Sequence, residues 1–262
     1  MLMKANNSVG HLIADELADV IKHQDLTQEF MNGVINGVHK NAILVGPPGL
    51  GKSYSVQKAL DNAGKVDKQD YIIVKGHVTP TQLFLILFMY KDSGKVVVLD
   101  DCDEIFNTET GLNLLKAAMD PCNRVVSYFS QRYYAVNGQV VKDFIFNGTV
   151  IVCTNIALSS GRGGRRTKHM EAITSRAPVW PMYWQTPIKK FAQIYNMVIN
   201  ADYLAVEPRT TLSHDQKQEL LRFLWDNLEV VTNLDLRLPQ KIAAEMKTNP
   251  NWEQVCEVLI KA

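Results

Sequence analysis

Short apolar runs alternate with amphipathic stretches from the start of the chain to about residue 186. Continuous apolar runs predict strands at 42–46, 71–76, 95–101 and 148–155, and the stretches between them have the 3.6-residue spacing of helices. Near-continuous apolar strands separated by helices indicate a parallel sheet whose two faces are both covered. The pattern therefore predicts an α/β fold with helices on both faces of a parallel sheet.

Two further regions have helical spacing without strands. Before the first strand, apolar positions predict helices at 10–22 and at about 25–38. In the last part of the chain the pattern is helical only, and it predicts four short helices. We therefore expect two domains, an α/β domain at 1–186 and a small four-helix domain at 187–262.

A β-rich insertion precedes the fourth predicted strand. Asn137 and Gly138 stand between two β-rich runs, and this dipeptide is the strongest short signal for a hairpin. A two-residue turn at this position would place Arg132 opposite Asp143. The sequence therefore predicts a β-hairpin at about 128–146.

The densest cluster of glycine and proline follows the first predicted strand. The run "GPPGLGKS" at 46–53 fits the pattern Gly-x-x-x-x-Gly-Lys-Ser between a strand and a helix. Its glycines let backbone N–H groups turn toward a phosphate, and the start of the helix favours an anion. A flexible turn alone would require neither the lysine nor the hydroxyl. Contacts with a bound nucleotide are expected from Gly46, Pro47, Pro48, Gly49, Leu50, Gly51, Lys52, Ser53 and Tyr54.

Three residues of two separate runs have distinct expected roles at this site. Lys52 supplies a cation to the β- and γ-phosphates, and Ser53 offers its hydroxyl to Mg²⁺. Asp100 ends the apolar run "VVVLD", where a carboxylate at a strand tip is suited to coordinate the same ion. A solvated acidic turn would not need the apolar residues before it. The sequence therefore predicts that ATP and Mg²⁺ are bound.

The amino-acid composition is that of a globular protein with almost no net charge. Of its 262 residues, 46% are hydrophobic, and 28 Lys and Arg stand against 27 Asp and Glu, so any nucleic-acid affinity requires a local patch. The four widely spaced cysteines argue against a disulfide framework or a zinc site and suit a reducing compartment. No signal peptide or bilayer-length apolar run is recognised. We expect a cytoplasmic protein, in the host cytoplasm if it is viral.

The motifs resemble those of the AAA+ ATPases over nearly the whole chain. "GPPGLGKS" and "VVVLDDCDEIF" are similar to the Walker A and Walker B motifs, and "VIVCTN" is similar to the sensor 1 strand. The resemblance implies that Asn155 helps to position the attacking water. "AITSRAPVW" resembles the arginine-finger segment, which implies that Arg176 reaches the nucleotide of a neighbouring subunit. The helical tail resembles the lid of that family, with Arg237 in the place of sensor 2.

The same resemblance implies a Mg²⁺-dependent ATP hydrolase that assembles as a homo-oligomer, a hexameric ring or spiral. One position departs from the family pattern, because Asp101 stands where most members carry a glutamate base. Aspartate is one methylene shorter, so a water poised for glutamate would lie too far away unless the loop moves closer. Either Asp101 acts after a local adjustment, or Glu104 reaches in, or hydrolysis is slow. Asp101 is the favoured base.

The hairpin and a basic loop indicate what the ATPase works on. In a branch of AAA+ helicases and translocases a hairpin before sensor 1 faces the central pore. Here Tyr133 is expected opposite Lys142, a pair suited to base stacking and phosphate contact. The alternative is that the hairpin is only structural, with its tyrosines packed against neighbouring side chains. A local basic patch that suits nucleic-acid phosphates is formed by Arg162, Arg165, Arg166 and Lys168. The alternative for this run is a flexible loop that meets an acidic neighbour or the ATP of a neighbouring subunit.

The expected function is therefore an AAA+ ATPase that remodels, translocates along or loads onto nucleic acid, in a phage or mobile-element protein. Two alternatives stay open. A protein-remodelling motor would be stimulated by a protein client and by neither DNA nor RNA. A nucleotide-gated scaffold or switch would bind ATP tightly and turn it over slowly, as the short Asp101 side chain permits.

Overall fold

The computed structural model describes residues 9–129, 135–136, 139–156, 171–184, 186–201, 203–206 and 208–261. The chain forms two compact units. One contains the described residues as far as Leu26, the short segment Pro48–Leu50 and the chain from Tyr183 onward. The other contains Thr27–Pro47 and Gly51–Met182.

A five-stranded sheet forms the centre of the second unit. The strands of this unit are β1 Asn41–Val45, β2 Tyr71–Lys75, β3 Val96–Asp100, β4 Val125–Ser127, β5 Ala135–Val136, β6 Gln139–Val140, β7 Asp143–Ile145, β8 Thr149–Thr154 and β9 Val179–Pro181. The sheet has the order β2-β3-β8-β1-β9, and every neighbouring pair is parallel. The carboxyl ends of β1, β3 and β8 therefore meet at one edge of the sheet.

The side chains of the central strands alternate between two buried clusters. In β1, Ile43 belongs to one cluster, whereas Ala42 and Leu44 belong to the other. The first cluster also contains Phe84, and the second contains Val56, both fully buried on helices. Because both faces of the sheet are covered, its strands are continuous apolar runs in the sequence. The predicted α/β class, with helices flanking a parallel sheet, is confirmed.

The helices begin and end close to the sequence signals, with one difference. They are α1 Val9–Leu12, α2 Ala14–Ile35, α3 Lys52–Asn62, α4 Pro80–Met89, α5 Glu109–Ala118, α6 Pro187–Ile199, α7 His214–Asp226, α8 Arg237–Thr248 and α9 Trp252–Leu259. The two helices predicted before β1 are largely one, because no glycine or proline at 22–25 ends α2. α4 begins at Pro80, and Thr79 before it forms a capping box with Gln82.

Helices α6 to α9 make up most of the other unit. Phe191 and Trp225 pack with ring centroids 5.2 Å apart, and Phe223 and Trp252 pack at 5.3 Å. These pairs join α6 to α7 and α7 to α9. In the part of the chain that the structure describes, no helix is long and apolar enough to cross a membrane.

Two short antiparallel pairings lie between α5 and β8. β5 pairs with β6 across residues 137–138, which lie outside the described residues. β4 pairs with β7, and there Asp143 lies opposite Ser127. The predicted pair of Arg132 and Asp143 includes Arg132, which lies outside the described residues. The chain from β4 to β5 is longer than the chain from β6 to β7, so one ladder cannot continue in register through both pairings.

Candidate nucleotide site

The predicted phosphate-binding loop begins where β1 meets the chain that follows β9. The Met182 N–H donates to the Val45 carbonyl at 2.7 Å, and the Met182 carbonyl lies against Gly46. A Cβ atom at Gly46 would be 1.8 Å from that carbonyl oxygen. Gly51, which precedes α3, has a φ of 86°, a conformation that favours glycine. The backbone itself therefore requires the first and last glycines of the loop pattern.

Gly46→Ala is expected to lower the free energy of unfolding by about 1–3 kcal/mol or more, because the added methyl group meets a backbone oxygen that cannot rotate away. Urea denaturation measures this change. Gly33→Ala in α2 is a matched control, since its Cβ would lie an ordinary 3.8 Å from Val38. That substitution should stabilise the protein by up to about 1 kcal/mol through helix propensity. Equal effects of the two substitutions would contradict the steric explanation.

Lys52, the first residue of α3, is almost completely buried at the carboxyl edge of the sheet, with 6% of its surface exposed. Its Nζ donates to the carbonyl oxygens of Gly46 at 2.7 Å and Pro47 at 2.9 Å, and to Asn155 Oδ1 at 2.6 Å. Burial lowers the pKa of Lys52, and the negative charge of Asp101 opposes this shift. The ammonium group is therefore fixed between the loop and the end of β8.

Ser53 and Asp100 bring two oxygen ligands together beside this lysine. Ser53 Oγ donates to Asp100 Oδ1 at 2.8 Å, and Asp100 is 6% exposed at the end of β3. Lys75 Nζ lies 3.9 Å from the second carboxylate oxygen, Asp100 Oδ2. The parallel register explains the last contact, because Lys75 and Asp100 are partners at the ends of β2 and β3.

The fit of these oxygens to Mg²⁺ follows from their chemistry. Magnesium binds one or two protein oxygens and completes its six ligands with phosphate oxygens and water. A hydroxyl and a carboxylate oxygen 2.8 Å apart match such a donor set. Among the described residues, no group of three or more His, Cys, Asp or Glu side chains is arranged to hold a metal ion. Ser53 and Asp100 are thus suited to an ion that arrives with phosphate.

Asp101 and Asn155 lie directly beside Lys52. Asn155 Nδ2 donates to Asp101 Oδ1 at 2.7 Å, while its Oδ1 accepts from Lys52. Asp101 has a φ of 54°, and its N–H donates to the Cys153 carbonyl. Aspartate and asparagine enter this left-handed region more readily than most other residues. The shorter side chain at Asp101 is therefore accompanied by a backbone conformation that turns its carboxylate onto Asn155.

Glu104 is held in a different place from Asp101. Its Oε2 lies 2.9 Å from His77 Nδ1, and both side chains are largely exposed. Asp103, which the sequence analysis did not single out, accepts a 2.6 Å hydrogen bond from the buried Thr154 hydroxyl. Two features of the sequence could have indicated this hydrogen bond. They are the third acidic residue of the run "DDCD" and the threonine before Asn155. Of these three acidic side chains after β3, Asp101 is the one bonded to Asn155.

Gly49 and Leu50 belong to the same unit as α6 and α8, and each accepts a hydrogen bond within that unit. Gln193, which is 4% exposed in α6, donates from Nε2 to the Leu50 carbonyl at 2.9 Å. The Leu236 N–H donates to the Gly49 carbonyl at 3.0 Å. A buried glutamine on an otherwise apolar helix face was the missed sequence signal. Arg237 is exposed, and its N–H is capped by Asp235 at the start of α8.

Arg176 lies near the amino end of β1, away from the phosphate loop. Its carbonyl accepts a 3.3 Å hydrogen bond from Nδ2 of Asn41, the first residue of β1. Its own guanidinium donates from Nη1 to the Ala172 carbonyl at 2.5 Å and makes a longer contact of 3.4 Å with Ser175 Oγ. Arg176 is thus folded back along the helical turn at 171–174.

The predicted nucleic-acid residues fall mostly outside the described residues. The Lys142 carbonyl accepts from the Tyr128 N–H at 2.8 Å, whereas the sequence pattern had placed Tyr133 opposite Lys142. The predicted contacts that lie outside the described residues are Tyr133, Arg162, Arg165, Arg166 and Lys168.

The chain is similar to one curated protein and to several solved structures. It is 27% identical over 228 residues to an uncharacterized 36.7 kDa protein from the nrdC-mobD intergenic region of Enterobacteria phage T4, covering 86% of this chain and 69% of that protein. Domain III of the Thermotoga maritima replication initiation protein DnaA superposes with a TM-score of 0.50 at 10% identity, covering 91% of this chain and 92% of that one. A single-residue variant of Thermotoga maritima RuvB gives a TM-score of 0.41 at 18% identity, with coverages of 90% and 70%. No protein-family model matches the chain.

The likeness to DnaA domain III is a likeness of fold. The chain therefore shares the fold of that domain, and the predicted phosphate-binding loop and Asp100 lie at the carboxyl edge of its sheet. The fold that the resemblance of the motifs implied is therefore confirmed.

Proposed function

We propose that the protein is a Mg²⁺-dependent ATPase that assembles with copies of itself and works on nucleic acid. The observation that carries the ATPase proposal is the continuous set of contacts from Lys52 through Asn155 to Asp101. It places a cation, an amide and a carboxylate in one row beside the Ser53 and Asp100 oxygens. A cation for phosphate, oxygen ligands for a metal and a base for water are the parts that ATP hydrolysis requires.

In this proposal each side chain keeps the position that the contacts give it. Lys52 and the loop N–H groups bind the phosphates, while Ser53 and Asp100 hold Mg²⁺. The ion, when bound, neutralises charge on the transferring phosphoryl group. Asp101 accepts a proton from the attacking water, and Asn155 orients both the carboxylate and the water.

Asp101→Asn is expected to leave ATP binding within a few fold of wild type while turnover falls by about 10²–10⁴, the usual contribution of a positioned base. Glu104→Gln should turn over ATP at close to the wild-type rate, because Glu104 is paired with exposed His77. Equilibrium binding of labelled ATP and a phosphate-release assay measure the two quantities. If Glu104→Gln is inactive and Asp101→Asn is active, the base is Glu104.

The proposed oligomer rests on the position of Arg176. β1 has five residues and separates Arg176, beside Asn41, from the loop that holds Lys52. Five residues of strand span roughly 16 Å, which is more than an arginine side chain can cover. Arg176 is therefore better placed for the nucleotide of a neighbouring subunit than for its own. A trans arginine would complete the site only when subunits assemble.

Nucleic acid is the proposed client, and the support comes from the basic run at 159–170 and the chain around Lys142. The DnaA domain that shares the fold belongs to a replication initiation protein. The similarity to a phage T4 protein supports a phage or mobile-element role. A nearly neutral chain with a local basic run is suited to phosphate contacts at that run rather than over its whole surface.

The test is nucleic-acid binding by protein loaded with a non-hydrolysable ATP analogue at low salt. The affinity of wild-type protein for single-stranded DNA, duplex DNA and RNA should fall with salt. Lys142→Ala and the double substitution Arg165→Ala/Arg166→Ala should each reduce the slope of log affinity against log salt by roughly 0.7–0.9 per lost phosphate contact. Tyr133→Ala should cost about 1–3 kcal/mol with little change in slope, because stacking releases no counterions.

Two outcomes of this experiment would favour another function. If no nucleic acid binds while an unfolded protein stimulates ATPase activity, the protein is a protein-remodelling motor. If neither client acts and ATP is bound tightly with very slow turnover, the short Asp101 side chain favours a nucleotide-gated switch.

A further inference from the structure

A buried arginine that takes no part in the proposed chemistry lies at the amino end of β1. Arg124 is 5% exposed and precedes β4. Its Nε donates to the Ala118 carbonyl at 2.6 Å, and its Nη2 donates to Asn41 Oδ1 at 3.0 Å. The guanidinium also lies 4.9 Å from the centre of the Phe146 ring. A buried cation persists only where such partners compensate for its lost hydration.

Asn41 connects this arginine to the backbone of Arg176. Arginine has no acceptor, so the Asn41 atom that faces Arg124 is Oδ1, and Nδ2 must face the other way. Nδ2 donates to the Met119 carbonyl at 3.0 Å and to the Arg176 carbonyl at 3.3 Å. Three contacts on one side chain therefore agree on a single orientation of the amide. The Arg176 backbone is tied through that amide to a buried guanidinium.

In the described part of the chain, Arg124 and Arg176 each have one guanidinium nitrogen without a hydrogen-bond partner, and both lie near the carboxylate of Asp120. Among the described residues, the buried side-chain nitrogens without a hydrogen-bond partner are Nη1 of Arg124 and Nε of Arg176. Asp120 lies near both: N–H groups of Asn123 and Cys122 lower its pKa most, and the charges of Arg176 and Arg124 lower it further. Burial lowers the pKa of Arg124 to about 10. The cluster thus fixes the Arg176 backbone while leaving its guanidinium incompletely bonded.

We propose that Asn41 and Arg124 are positioning residues for Arg176, and set the rate of ATP hydrolysis in the neighbouring subunit without touching nucleotide. This proposal rests on the trans role proposed for Arg176. Because the carbonyl of Arg176 is anchored and its Nε has no partner, the side chain can swing out from a fixed origin. A finger that starts about 1 Å out of place can lose about 10² in rate.

Two substitutions separate the steps of this network. Arg124→Met removes the guanidinium but keeps a long apolar side chain. Asn41→Asp keeps an oxygen for Arg124 but replaces the Nδ2 donor with an oxygen that faces the Met119 and Arg176 carbonyls. Each should bind ATP within about two-fold of wild type and lose about 10² in turnover. Val150→Ala is the control, because buried Val150 is the register partner of Asn41 and has no polar side chain.

Mixed assemblies show on which subunit the loss acts. Each variant has an intact phosphate loop, so mixing it with Lys52→Ala, which has an intact finger, should restore turnover. Mixing it with Arg176→Ala should restore none, because neither partner then supplies a competent finger to the other. A merely destabilised subunit such as Val150→Ala should show the same activity with either partner once thermal unfolding confirms that it is folded.

The reference mixture of Arg176→Ala with Lys52→Ala distinguishes the two proposals. Suppose that the reference mixture recovers activity. If Arg124→Met and Asn41→Asp then recover none when each is mixed with Lys52→Ala, the positioning proposal is overturned and the trans finger stands. If the reference mixture itself fails in assemblies of confirmed mass, the trans finger is overturned together with its positioning residues. If Asn41→Asp binds ATP weakly, the substitution acts on the nucleotide site of its own subunit, through β1. That result would also overturn the proposal.

Discussion

Lys52→Ala should remove ATP turnover and weaken ATP binding by about 2–5 kcal/mol, the usual cost of truncating one partner of a buried charge pair. That range corresponds to roughly 30-fold to several thousand-fold in Kd. The physical reason is that the Lys52 ammonium is buried and is held between the loop carbonyls and Asn155. No other side chain of the loop pattern carries a positive charge. Equilibrium titration with a fluorescent ATP analogue measures the binding loss.

Two controls separate lost phosphate binding from lost stability in Lys52→Ala. Lys58→Ala changes an exposed lysine on the same helix and should leave ATP affinity unchanged. Lys52→Met keeps most of the side-chain volume and removes only the charge, so it should bind ATP as poorly as Lys52→Ala. Unfolding curves show whether the Gly46 and Pro47 carbonyls tolerate the loss of their donor. Wild-type ATP affinity in folded Lys52→Ala would exclude this loop as the nucleotide site.

The sequence predicted the parts of this site that follow from strand order and local pattern. Apolar runs marked β1 and β3, and parallel strands bring their carboxyl ends to one edge of the sheet. Ser53 and Asp100, 47 positions apart, are for that reason 2.8 Å apart. The cap at Thr79 was equally predictable, because a capping box depends only on residues three positions apart.

Other parts depend on contacts that no local pattern specifies. The left-handed backbone at Asp101 is not visible in the sequence, although it turns the carboxylate toward Asn155. Gln193 meets the Leu50 carbonyl across 143 positions of chain, so only the folded helical unit reveals it. In the same way, Arg124 reaches Asn41 from 83 positions away. Sequence periodicity therefore does not predict the hydrogen bonds that single polar residues make with distant parts of the chain.

Arg176→Ala is expected to keep wild-type ATP affinity while turnover falls by about 10³ or more, the effect of removing an arginine that acts in trans. Such an arginine stabilises charge that develops in the transition state, so it contributes little to ground-state binding. Arg176→Lys should recover only a small part of the loss, because an ammonium lacks the planar pair of donors that a phosphoryl group accepts. Arg222→Ala, at an exposed position on α7, is the matched control and should retain full turnover.

The contacts of Arg176 make this outcome physically reasonable. Its guanidinium gives up hydrogen bonds to the Ala172 carbonyl and the Ser175 hydroxyl when it extends, and each such bond contributes a net of only about 0.5–1.5 kcal/mol. Charge-assisted hydrogen bonds to a phosphate are roughly twice as strong as neutral ones. They replace the two bonds that Arg176 gives up. The measurement is the turnover rate against protein concentration. Wild type should accelerate as subunits assemble, whereas Arg176→Ala should stay at the rate of the isolated subunit, and a parallel rise in both would contradict a trans role.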